Sequence, residues 1–140
     1  TIAFKEGDFE LAKSYLAETC NTESVARDLN NVAIGYIQKN LHAEGIAFYT
    51  AAIDILGDKE VLYLIEYNLG LAHMKKGDLV KAFHFLSKSF LRYPDFEKSY
   101  AAFVRTVKAI REAGQSCNQD TVEQVKAAFE KSAIKLKKAS

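Results

Sequence analysis

At 140 residues, 49% hydrophobic and with a single proline, the chain can build one compact unit folded through most of its length, with no linker between two domains. Nineteen basic against eighteen acidic side chains give a formal charge of +1, which excludes an acidic solubilising tail and a strong nucleic-acid field over the whole molecule. Two cysteines, Cys20 and Cys117, exclude a disulfide framework, and neither a signal core nor an apolar run of roughly eighteen residues occurs, so the expectation is a cytoplasmic protein without membrane contact.

The pattern reads as helical from end to end, because apolar residues recur at three and four and the breakers sit at intervals suited to short turns. Residues 9–19 are the first full helix, with Leu11, Ala12, Tyr15 and Leu16 inward and Asp8 capping its free amides. A second helix at about 23–39 carries Val25, Leu29, Val32, Ala33, Tyr36 and Ile37. Its partner at about 43–56 carries Ile46, Tyr49, Ala52, Ile53 and Leu56, and stops at Gly57, which can take a left-handed conformation. In the next hairpin, Val61 to His73 precede Gly77-Asp78, and Leu79, Ala82, Phe83, Leu86 and Phe90 lead to Tyr93-Pro94, where proline blocks continuation. A helix at about 96–112 follows, with Tyr100, Phe103, Val104, Val107 and Ile110 on its buried side. The final helix has Asp120 and Glu123 at the spacing of a reciprocal N-terminal cap and an apolar stripe of Val122, Val125, Phe129, Ala133 and Leu136.

These elements repeat. Lys5-Glu6-Gly7-Asp8-Phe9-Glu10-Leu11-Ala12 returns seventy residues later as Lys75-Lys76-Gly77-Asp78-Leu79-Val80-Lys81-Ala82, and a degenerate copy from Lys39 to Tyr49 lies between. Ala12, Gly45 and Ala82 thus share one small-residue position, and Ala33 and Gly70 another. Paired helices approach closely only where no bulky side chain stands between their axes, and hairpins that cannot bury their apolar side alone must stack on one another.

At Asn68-Leu69-Gly70, His73, Gly77, Ala82, Leu86, Ser89 and Pro94 the chain resembles the tetratricopeptide repeat. Asn31-Val32-Ala33, Tyr36, Asn40, Gly45, Tyr49 and Ala52 follow the same pattern, with three extra residues near Asp58 to Val61, and Ala3, Gly7, Ala12, Leu16 and Thr19 represent an earlier copy. Departures are Asn40 in place of glycine, Gly45 in place of alanine, and Ser89. The resemblance implies an all-α superhelix of stacked antiparallel hairpins forming a single domain over 1–140, divided into a partial first repeat (1–22), repeats at 23–59 and 60–95, and a degenerate repeat with a capping helix (96–140). Because Thr1 enters the pattern partway through, the chain reads as part of a longer protein. The phrases Leu29 to Ala33, Glu66 to Ala72 and Pro94 to Lys98 are also similar to repeat regions downstream of receiver domains in bacterial response regulators, which implies a scaffold in signal transduction.

The family binds peptides or proteins in a concave groove lined by the first helix of each pair, without catalysis, metal or cofactor. Helical phase then offers Arg27, Asn30, Asn31, Ile34, Ile37 and Gln38; Leu64, Tyr67, Asn68, Leu71, Met74 and Lys75; and Lys98, Ala101, Ala102, Arg105, Lys108 and Ala109. Asparagine can clamp an extended peptide by donating and accepting at once, above all Asn31 and Asn68, since a helix interior gains little from this residue. Lys98 and Arg105 would supply charge-assisted donors. Asn68 and Lys98 also match two of five positions used by relatives that clamp a C-terminal carboxylate, too few for such a clamp, so an internal segment of a partner is expected.

Other readings remain beside this one. Phe96, Tyr100 and Phe103, or the amphipathic last helix, could pair two copies into a homo-oligomer. Lys126, Lys131, Lys135, Lys137 and Lys138 form a basic run suited to phosphate backbones, although Glu123 and Glu130 interrupt it; residues 91–140 hold ten basic and six acidic side chains, against nine and twelve before them. His42, His73 and His84 stand in no metal-ligand or nucleophile motif, and His73 occupies a packing position.

Overall fold

A computed structural model describes residues 22–57, 62–132 and 134. They form six helices and no strand: α1 (Thr22–Gln38), α2 (His42–Leu56), α3 (Leu62–Lys76), α4 (Leu79–Arg92), α5 (Glu97–Glu112) and α6 (Gln119–Glu130). The expected partial repeat over 1–22, with its cap at Asp8, lies outside the described residues apart from Thr22, as do the extra residues near Asp58, Ala133 and Leu136.

The fold is an all-α stack of helical hairpins. Helices α1 and α2 pair, α3 and α4 pair, and successive pairs lean on each other through α2 against α3 and α4 against α5. Each leading helix ends in the same device. The Leu41 N–H donates to the Tyr36 carbonyl at 2.9 Å and the Asn40 N–H to that of Ile37 at 3.0 Å, and the pattern returns at Asp78 and Gly77 and again at Gln115 and Gly114. This double bond to the last carbonyls requires a residue of positive φ, and Asn40 (63°), Gly77 (94°) and Gly114 (78°) supply it at steps of thirty-seven residues. Asparagine is the side chain that best tolerates this conformation after glycine, so Asn40 keeps the turn that its departure from the repeat pattern put in question.

Close approach follows from the small residues. A Cβ on Gly45 would come within 2.5 Å of the Ile37 side chain and 3.2 Å of the Ala33 carbonyl, and one on Gly70 within 2.6 Å of Leu86 Cγ. Two apolar interiors result. Val25, Leu29, Phe48, Tyr49, Leu62 and Leu69 belong to the first, and Phe83, Leu86, Phe90, Phe103, Ile110 and Val125 to the second. Helix α3 serves both: Ile65 and Leu69 face the first, while Tyr67, Leu71 and Met74 pack against the second.

The last pair breaks the rule. Helix α6 packs its backbone against α4, and meets α5 through side chains such as the stacked rings of Tyr100 and Phe129, 4.2 Å apart. Its N-cap is Asn118, whose side chain accepts from the Thr121 N–H at 3.1 Å; the cap expected at Asp120 comes two residues too late, because Gln119 already opens the helix. Helix α6 ends at Glu130, short of the stripe expected to continue beyond it.

Candidate functional site

Helices α1, α3 and α5 lie side by side, so the face they share is built from one helix of each unit. A polar bond ties the first two across that face: Asn68 Nδ2 donates to Asn30 Oδ1 at 3.0 Å. Asn30 is half-buried opposite Asn68, while Asn31, expected with Asn68 as a peptide contact, stands one position away and is exposed. Asn30 and Leu64 also line a hollow of about 90 Å³ with the exposed Arg27.

Most of the expected groove residues are accessible in some degree. Arg27, Gln38, Lys75, Lys98, Arg105 and Lys108 are exposed, and Ile34, Tyr67, Leu71 and Met74 are half-buried. Tyr67 sits edge-on to Phe96 with ring centroids 5.2 Å apart. Two expectations are corrected. Ile37 is buried because it fills the space that Gly45 leaves in the hairpin interior, and Ala102 is wholly buried because that side of α5 faces the second apolar interior. Both errors have one cause: a helix of this stack is covered on two sides, and phase alone does not say where the covering ends.

Behind the face, buried polar groups lock the units together. Glu66, 1% exposed, accepts from Arg92 Nε at 2.8 Å and from Arg92 Nη2 at 3.3 Å, with Lys88 Nζ 3.9 Å away. This forked pairing satisfies a carboxylate whose burial alone would be costly. The Ser89 hydroxyl donates to the Tyr63 carbonyl at 2.7 Å and lies 2.6 Å from the Ser99 hydroxyl, joining α3, α4 and α5. Ser89, a departure from the repeat pattern, thus makes a bond that alanine cannot.

The titratable groups are dispersed. His73 is buried against Phe85, rings stacked at 5.6 Å, and its Nδ1 has no hydrogen-bond partner, as is also true of His42 Nδ1. Neither imidazole is therefore oriented by a carboxylate in the way a general base is. Burial pushes the Tyr49 hydroxyl up to about 12. Among the described residues no group of three or more His, Cys, Asp or Glu side chains is placed to hold a metal ion, and no helix is long and apolar enough to cross a membrane.

The aromatic residues considered for self-association are engaged internally. Phe103 is buried against Phe83, Tyr100 lies between Phe90 and Phe129, and Phe96 packs on Tyr63 and Tyr67. Of the basic run, Lys126 and Lys131 are exposed, and Lys135, Lys137 and Lys138 lie outside the described residues.

A second concavity was not anticipated. Between α5 and α6 lies a cleft of about 530 Å³ whose walls are Phe103, Val104 and Val107 on one side and Val122 and Val125 on the other. The sequence does carry its signal. Ala33 and Gly70 stand seven residues before the left-handed positions Asn40 and Gly77, and the equivalent residue before Gly114 is Val107. Gly45 and Ala82 stand four residues after the N-caps Leu41 and Asp78, and the equivalent residue after Asn118 is Val122. Valine has replaced the small residue on both facing positions, and three extra residues separate Gly114 from the cap.

No family model and no curated protein sequence matches the chain.

Proposed function

We propose that the protein is a noncatalytic adaptor of the tetratricopeptide type, holding an extended segment of a partner protein along the face of α1, α3 and α5. The observation that carries this reading is the Asn30–Asn68 bond. Two amides fixed against each other on neighbouring helices are held in place before a ligand arrives, and each retains a donor or acceptor for a peptide backbone: Asn30 Nδ2 and Asn68 Oδ1 make no bond with a described side chain. Around them the strip alternates apolar surface at Ile34, Leu64 and Leu71 with cations at Arg27, Lys75, Lys98 and Arg105, and a partner segment with acidic residues toward the α5 end fits that order. The likeness of Leu29 to Ala33, Glu66 to Ala72 and Pro94 to Lys98 to repeat regions of response regulators is what supports service as the output or scaffold region of a signalling protein.

The test is a fluorescence-anisotropy screen of extended peptides carrying an acidic residue near one end, followed by titration of Asn68→Ala and Lys98→Ala. Each substitution is expected to weaken binding about tenfold or less, in line with one hydrogen bond of about 0.5–1.5 kcal/mol. Unchanged affinity in both variants, with helical circular dichroism preserved, refutes a site on this face.

A further inference from the structure

The cleft between α5 and α6 has the form of a hairpin that has not closed. In the two preceding units the leading helix is covered by its partner, and the small residues at the crossing let the backbones meet. In the last unit the crossing positions are Val107 and Val122, the connection is longer by three residues, and α6 is turned toward α4. Among the described residues, helix α5 therefore keeps an open apolar spot beside the cleft: Val104 is 45% exposed, and the more deeply buried Val107 forms part of the wall. The stretch of α5 that borders the cleft runs from Tyr100 to Glu112, roughly 18 Å at 1.5 Å per residue, which is the length of about three helical turns.

The rim supplies the sign of the occupant. Lys108 and Arg111 on α5 and Lys126 on α6 border the cleft, against the single carboxylate of Glu112, and none of these three cations makes an ion pair with a described residue. Residues 135–140 carry three lysines and no acid, so that segment is a poor electrostatic match for the rim. We infer that the α5–α6 cleft is a second binding site, which receives an amphipathic helix of a partner protein with aliphatic residues on one side and carboxylates flanking them. The bound helix occupies the place that a closing helix takes in the other units, its aliphatic side among Val104, Val107, Val122 and Val125 and its acids against Lys108, Arg111 and Lys126. This site is separate from the asparagine-centred strip and stands whether or not that strip binds a segment.

Two fluorescein-labelled helical peptides of about sixteen residues test it, long enough to span those three turns of α5. Both carry leucine at i, i+3, i+4 and i+7; one has glutamate and the other lysine at the flanking positions. The glutamate peptide is expected to bind at least tenfold more tightly than the lysine peptide. Val104→Glu, placed at an exposed position that the fold tolerates, is expected to lower its affinity at least tenfold, while Asn68→Ala leaves it unchanged. Equal binding of the two peptides, absence of binding, or indifference to Val104→Glu overturns the proposal. So does either competing occupancy: a concentration-dependent dimer that Val104→Glu dissociates, seen by sedimentation, would make the occupant a second copy. Glutamate-peptide binding that appears only after removal of residues 135–140 would make the occupant that segment of the chain itself.

Discussion

At the scale of single residues, the buried histidine gives the molecule a defined response to acid. Burial lowers the His73 imidazole below its ordinary range; Asp78 acts against this, and Lys81 and Lys76 add to it. The unfolded chain then takes up a proton near pH 6.5 that the folded protein still refuses, so the stability present above that value is progressively lost as pH falls from about 6.5 toward the lower folded-state value. Urea midpoints measured between pH 7.5 and 5.5 are expected to drop, and to drop less in His73→Gln, which cannot titrate. An equal decline in both proteins would assign the effect to other groups. The position of His73 was legible from the repeat pattern, but its missing partner was not, because hydrogen bonding at Nδ1 depends on what the neighbouring helices present.

Glycines separate the elements into those that need them and those that do not. At Gly70 an added Cβ meets Leu86, itself wholly buried, and at Gly35 it meets nothing within 4 Å. Gly70→Ala is therefore expected to lose stability, overpacking of about 1–3 kcal/mol outweighing a gain in helix propensity of about 1 kcal/mol. Gly35→Ala keeps that propensity gain and is expected to raise the denaturation midpoint. If both substitutions stabilise, the α3–α4 crossing is looser than described. The limits of α1 to α5 were readable to within a residue or two from 3.6-residue periodicity and the turn residues, and the small positions at Ala33, Gly45, Gly70 and Ala82 located the crossings. The cap of α6 was misread because Asn118 and Asp120 both suit an N-cap, and only the path of the preceding loop selects between them. The valines at Val107 and Val122 carried the open cleft in plain view, yet as members of an apolar stripe they look like any core residue. Their meaning depends on register with the earlier units.

For the molecule as a whole, interior packing is unequal along the stack. Helices α1 to α5 each lie along a neighbouring helix over a broad side, whereas α6 meets the α4 backbone over a much shorter stretch and touches α5 by side chains. Native-state hydrogen exchange is expected to show α6 amides opening at a lower free energy than those of α3 and α4, and the glutamate helix peptide to slow them. Uniform protection across all six helices would contradict this gradient. Helix α3 sets the opposite extreme, since its two sides are shared between both apolar interiors. A chain cut after Tyr93 would leave Tyr67, Leu71 and Met74 wetted along one stripe, so neither portion could be excised as a self-sufficient module, and the smallest unit that evolution or an engineer can transplant includes the helices on both flanks of that shared wall.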